Sequence, residues 1–199
     1  TIKEHKAIIF NGNGYSDEWL EEAARRGLPN LVSTVDALPH YMDPQNIAMF
    51  EKFHVYTKEE IASRTDILLE NYSKVINIEA MTMLDMTKKK LLPAAMEYGK
   101  KICDTAIAKK QLGLDASAET KLAADLDSNT AKMYEAMQAL ESKVNAAKEI
   151  GDVLECAKAY RSQVFSAMSD LRTYADQLEM LVSAEDWPLP PYSDLLFNV

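Results

Sequence analysis

Apolar residues recur at steps of three and four along most of the second half of this 199-residue chain. Leu122, Leu126, Thr130, Met133, Met137, Leu140, Val144 and Ala147 draw one stripe and predict a helix over about 118–149. A second stripe, Ala157, Tyr160, Val164, Met168, Leu171, Ala175, Leu178 and Val182, predicts another helix opening at Asp152, with Glu155 at the capping-box position. Upstream, Thr57-Lys-Glu-Glu60 is a capping box, in which hydroxyl and carboxylate satisfy free amides reciprocally. The helix it starts should run to about Leu112 with a kink at Pro93, which lacks a backbone donor. Gly113 to Ser117 and Gly151-Asp152 are the reversals. Residues 1–56 are punctuated by Gly12, Gly14, Gly27, Pro29, Pro39 and Pro44, and predict short helices near 2–9, 16–26, 34–41 and 44–53. The fold class that follows is all-α. The expected architecture is an elongated antiparallel three-helix bundle over 57–184, with an N-terminal appendage of short helices over 1–56. Residues 185–199 form a proline-rich tail that should pack back on the protein or on a neighbour.

Composition narrows the picture. Hydrophobic residues make up 47% and charged residues 27%, the range of a globular chain with a real core. The formal net charge of −9 argues against nucleic acid, whose phosphates reward a basic face. Lysines do cluster at Lys88-Lys89-Lys90, Lys100-Lys101 and Lys109-Lys110, and on this charge balance they read as a solvated helix face. No apolar run reaches the ~20 residues of a membrane helix. Cys103 and Cys156 lack metal-site or redox spacing and read as two reduced thiols. Thr1 stands where an initiator Met would, which suggests an excised piece of a longer chain.

Candidate chemistry is sparse. Gly12-Asn-Gly14 lacks the third glycine of a dinucleotide fingerprint and the Gly-Lys-Ser/Thr end of a nucleotide-phosphate loop. It reads as a turn, with Ser16 as a helix cap and Gly27 followed by Pro29 as a helix stop. Glu51-Lys-Phe-His54 has the spacing of a carboxylate-bridged metal motif, but no second copy accompanies it, so His54 reads as a surface residue. Nothing resembles an ordered Ser-His-Asp triad. The least ordinary segment is Val75 to Met86, apolar on more than one face and expected to be buried on several sides. Asn77, Glu79, Thr82 and Asp85 fall inside it and are candidates for a polar network or interface, with Lys74 or Arg64 as counter-charges. Tyr15, Trp19, Phe50 and Phe53 are candidate anchors of the appendage onto a neighbouring surface.

Several blocks in order carry a family likeness. Phe10-Asn-Gly-Asn-Gly-Tyr-Ser16, Arg25-Arg-Gly-Leu-Pro-Asn30, Thr34-Val-Asp-Ala-Leu-Pro39 and Asn46-Ile-Ala-Met-Phe-Glu-Lys-Phe53 come first. Glu70-Asn-Tyr-Ser-Lys-Val-Ile-Asn-Ile-Glu-Ala80, Thr82-Met-Leu-Asp-Met86, Asp152-Val-Leu-Glu155 and Trp187-Pro-Leu-Pro-Pro-Tyr-Ser-Asp-Leu-Leu-Phe197 follow. Together they resemble the C-terminal region of type III glutamine synthetases, the long bacterial form. The resemblance implies a parent ligase that joins glutamate and ammonia using ATP and a divalent metal, Mg or Mn. It further implies a cytoplasmic, ring-based homo-oligomer serving nitrogen assimilation, with the catalytic domain of the same polypeptide as partner. The family's catalytic motifs are not found among these residues, so no catalytic, cofactor-binding or metal-binding residue is assigned and the fragment alone is expected to be inactive. Two functions follow: a structural, assembly or regulatory domain of that enzyme, or a free-standing helical protein-interaction module.

Overall fold

The computed structural model describes residues 1–190 and 192–197, and nothing but helix and connecting turn occurs among them. They divide into two compact units, Thr1–Leu69 and Glu70–Val199. The first unit carries α1 (Asp17–Arg25), α2 (Thr34–Ala37), a 3-10 turn (Leu38–Met42), α3 (Pro44–Lys52) and the start of α4 (Lys58–Met86). The second holds the rest of α4, α5 (Leu92–Gln111), α6 (Ser117–Lys148), α7 (Val153–Ala159), α8 (Phe165–Glu179) and α9 (Tyr192–Phe197).

Local chemistry sets the ends of these helices. The Thr57 amide donates to Glu60 Oε2 at 2.8 Å while the Glu60 amide donates to Thr57 Oγ1 at 3.3 Å, so the capping box is closed on both sides. Asp152 Oδ1 accepts the Glu155 amide at 2.9 Å, but Glu155 turns to Lys158 rather than back to its cap. Gly27 and Gly113 sit at φ +72° and +73°, where a side chain would be strained. Each closes a helix with an amide bonded five residues back, Leu28 to Ala23 O and Leu114 to Lys109 O, both at 2.9 Å. Ser16 holds the N-cap position of α1 without capping it, because its hydroxyl donates to Asn13 O.

Three elements depart from the expected pattern. Residues 2–9 form only a 3-10 turn, Lys6–Ile8. Ile2, Ile8 and Ile9 are exposed there, so a short β-branched segment has no packing to offset the cost of helix nucleation. Pro93 acts upstream of itself: a π turn over Thr87–Leu91 separates α4 from α5. Pro93 cannot bond to Lys89 O and its ring crowds that carbonyl, and widening the preceding turn relieves both. A second π turn, Tyr160–Val164, interrupts the last long rod where no proline stands. There Ser162 Oγ donates to Lys158 O at 2.8 Å, competing for the carbonyl that its own amide would use.

The core of the second unit draws on every rod. Ile76, Ala80 and Leu84 from α4, Leu92 and Ala95 from α5, Leu126 to Ala147 from α6, and Ala159 to Leu178 around the second π turn form one cluster. α6 packs against α5 and against α8. Trp187 closes the cluster, buried with Leu189 packed beside it, so the start of the proline-rich tail docks on the second unit. A Ser183 turn and the Lys101–Asp186 ion pair hold it there. Pro191, Asn198 and Val199 of the tail lie outside the described residues.

Candidate functional site

In the first unit the loop before α4 and the first turns of α4 face the 3-10 turn and α3. Phe50 lies between Tyr41 and Tyr56, with ring centroids 6.3 and 5.8 Å away. Together with Ile61, Arg64, Thr65, Ile67 and Leu68 these rings line an open cavity of about 370 Å³. The Arg64 guanidinium lies over the Tyr56 ring, 4.4 Å from its centroid. No carboxylate among the described residues forms an ion pair with it; Glu60, one turn earlier, is hydrogen-bonded by Thr57, and those bonds with the Arg64 charge hold its carboxyl below the ordinary range. Thr65 is buried and donates to Ile61 O at 2.9 Å, so its hydroxyl is satisfied inside the helix. The result is an apolar, aromatic groove with one cation at its lip.

A second cluster organises the start of the unit. Glu22 accepts two 2.6 Å bonds from Arg25 and a third from Arg26. Arg26 in turn donates to Ala7 O and Ile9 O, and its guanidinium stands 5.6 Å from the Trp19 ring, which stacks on Phe10. The two arginines hold the Glu22 carboxyl down to about 2. Arg26 therefore straps the irregular N-terminal segment to α1.

The sequence candidates scatter over these features. Phe50 is central to the groove and Trp19 belongs to the Arg26 cluster. Tyr15 is fully exposed, and Phe53 is exposed with the Lys52 ammonium beside its ring. In the second unit, Asn77 Oδ1 accepts a hydrogen bond from the buried Tyr160 hydroxyl at 3.2 Å. That burial pushes the Tyr160 phenol up, with the nearby Cys156 adding to the shift. Thr82 is exposed and donates to Ile78 O within its own helix. Glu79 is exposed, and Asp85 is exposed and paired with Lys89. The expected network of buried carboxylates therefore does not form: the Val75–Met86 stretch buries Ile76, Ala80 and Leu84, while Val75, Ile78 and Met81 on other faces stay open. Lys74 pairs with Glu70, and Arg64 stacks on Tyr56. Tyr41 and Tyr56 escaped sequence reasoning and Arg64 was expected as a counter-charge in the Val75–Met86 segment, since nothing in their spacing shows that they come together.

One lysine of each lysine cluster is held in an ion pair. Lys88 pairs with Glu141, Lys100 with Asp104, and Lys109 with Glu119. Glu51 lies in the last turn of α3 and His54 just beyond its C-cap Phe53, both exposed. Among the described residues no group of three or more His, Cys, Asp or Glu side chains converges as a metal site would require. No helix among them is long and apolar enough to cross a membrane.

Residues 1–110 match the family model described as the glutamine synthetase C-terminal domain. This chain belongs to that family. The likeness to type III glutamine synthetases is borne out along the whole chain. It is 40% identical to a glutamine synthetase of Butyrivibrio fibrisolvens, which covers all of this chain and 29% of that protein. It is 30% identical to a type-3 glutamine synthetase of Dictyostelium discoideum, over 99% of this chain and 28% of that protein. A glutamine synthetase of Bacteroides fragilis is 31% identical over 96% of the chain and 27% of its own length. The chain thus spans less than a third of the length of the relatives it matches.

Proposed function

We propose that this chain is a non-catalytic, helical portion of a type III glutamine synthetase whose role is to support assembly of that enzyme. The observation that carries the proposal is a second apolar face on α4. Ile76, Ala80 and Leu84 face the core, whereas Val75 and Ile78 lie on the opposite side at helical spacing, 44% and 64% exposed. An apolar face left open on a helix already packed on its other side marks a docking surface. In this reading the three long rods of residues 57–184 act as an antiparallel bundle that braces the rest of a cytoplasmic homo-oligomer.

The parent enzyme would join glutamate and ammonia with ATP and a divalent metal. The described residues give no sign of fitting either group: no metal-ligand cluster forms, and Lys88, Lys100 and Lys109, one from each lysine cluster, are paired with carboxylates. Binding and chemistry are therefore assigned to the rest of the polypeptide.

Removing the equivalent of residues 57–199 from the full-length synthetase tests the reading. The expected result is loss of the native assembly on sizing columns, with glutamine formation falling alongside it. A truncated enzyme of unchanged size and unchanged activity would refute the role.

A further inference from the structure

The groove between Tyr41, Phe50, Tyr56 and the first turns of α4 is built differently from the α4 face. It is concave, it is lined by aromatic rings on one side and by Ile61, Ile67 and Leu68 on the other, and it carries one cation. Ile67 and Leu68 are 61% and 44% exposed, so its floor is apolar surface left open to water. Its volume of about 370 Å³ accommodates one or two large side chains.

Arg64 states what accompanies them. Its guanidinium carbon lies 4.4 Å from the Tyr56 ring centroid, a contact with the ring face that uses none of its N–H donors in a hydrogen bond. Glu60, one turn earlier, feels the Arg64 charge but gives its hydrogen bonds to Thr57, so the guanidinium is without an ion pair among the described residues and is suited to bidentate pairing with an incoming carboxylate. The groove lies wholly within the residues matched by the family model, and the chain is 29% of the length of its Butyrivibrio relative. In such a polypeptide most of the sequence lies outside residues 1–199 and is held nearby by the chain itself. Covalent tethering supplies an effective concentration on the order of millimolar, so a shallow groove can be occupied without high intrinsic affinity.

We infer that this groove seats a segment of the synthetase's catalytic portion that presents an apolar side chain beside a carboxylate, with the carboxylate paired to Arg64. The inference rests on the reading of the chain as part of a glutamine synthetase and names the surface and chemistry of one contact. The aromatic rings hold the apolar side chain and exclude water. The Arg64–carboxylate pair sets register, because a misplaced segment would leave the guanidinium unpaired against a dry wall.

The test uses the full-length synthetase with the photo-reactive benzoylphenylalanine in place of Phe50, followed by peptide mapping. The expected product is an intramolecular cross-link to a segment outside residues 1–199 that contains Asp or Glu next to an apolar residue. Arg64→Glu should lower its yield at least about tenfold, and Arg64→Lys should lower it less. Helix content by circular dichroism confirms that each variant is folded. A cross-link to a second copy, detected by mixing isotopically light and heavy protein, would overturn the inference. So would an absent cross-link with the groove still open to an aromatic anion such as anilinonaphthalenesulfonate. The truncation described above keeps the two ideas apart: if it destroys assembly while the cross-link is absent, only the groove assignment fails. If the cross-link forms while truncation changes nothing, the assembly role fails and the contact stands.

Discussion

His54 ends α3 in a conformation that its side chain opposes, and replacing it should strengthen the protein. Its φ is +53°, the only positive value at a non-glycine position among the described residues. The geometry is imposed by a helix stop: the Val55 amide reaches Phe50 O at 3.0 Å and the His54 amide reaches Glu51 O at 3.1 Å. Both bonds require a left-handed residue at 54, which costs an L side chain about 1–2 kcal/mol, with His toward the lower end because it tolerates this region better than most. Glycine removes that strain but returns about 0.5–1 kcal/mol through the freedom it regains on unfolding. The net gain expected for His54→Gly is at most about 0.5 kcal/mol. In native-state hydrogen exchange the Val55 amide should then exchange up to about twofold more slowly, provided local opening governs it. His54→Val should do the reverse, since a β-branched residue fits this region worst. Faster exchange in His54→Gly would refute the reasoning, showing that the imidazole makes a contact worth more than the strain.

Other consequences can be checked on the same protein. The Glu22 carboxyl should titrate near 2 by carbon NMR rather than near its ordinary 4.5, because Arg25 and Arg26 hold its charged form. Since the folded value is the depressed one, the stability it contributes is complete above 4.5 and is lost as the pH falls toward 2; a midpoint near 4.5 would remove the arginine strap. Leu140→Ala, at a position with no exposed surface in the core of the second unit, should cost about 3–5 kcal/mol in urea unfolding, and a cost below about 1 kcal/mol would deny the packing described. Tyr160→Phe should cost about 1 kcal/mol by stranding Asn77, and Asn77→Leu in the same background should restore part of it; no coupling between the two would mean the bond carries no weight.

Much of this fold is written in short-range chemistry. The capping box at Thr57 and Glu60, the helix stops at Gly27 and Gly113, and the stripes from Leu126 to Ala147 and from Ala157 to Val182 all depend on residues three to five apart, which a sequence displays directly. The all-helical class follows from those signals. The π turn before Pro93 was half legible: the proline announces a disruption, but which turn widens depends on what the widened turn buries, here Thr87 and Leu91. The second π turn had no local mark beyond a serine.

What only tertiary structure decided is which apolar surface is covered. Val75 and Ile76 look alike in sequence, yet Ile76 faces the core and Val75 faces outward, because a helix with apolar residues on more than one side must choose which to pack. The buried-carboxylate expectation for Glu79 and Asp85 failed for the same reason. Tyr41, Phe50, Tyr56 and Arg64 meet only after two turns and two helix starts are placed, so their groove exists in space and not in spacing. Periodicity fixes the phase of a single helix, whereas burial is a property of two surfaces, and the second surface is far away along the chain.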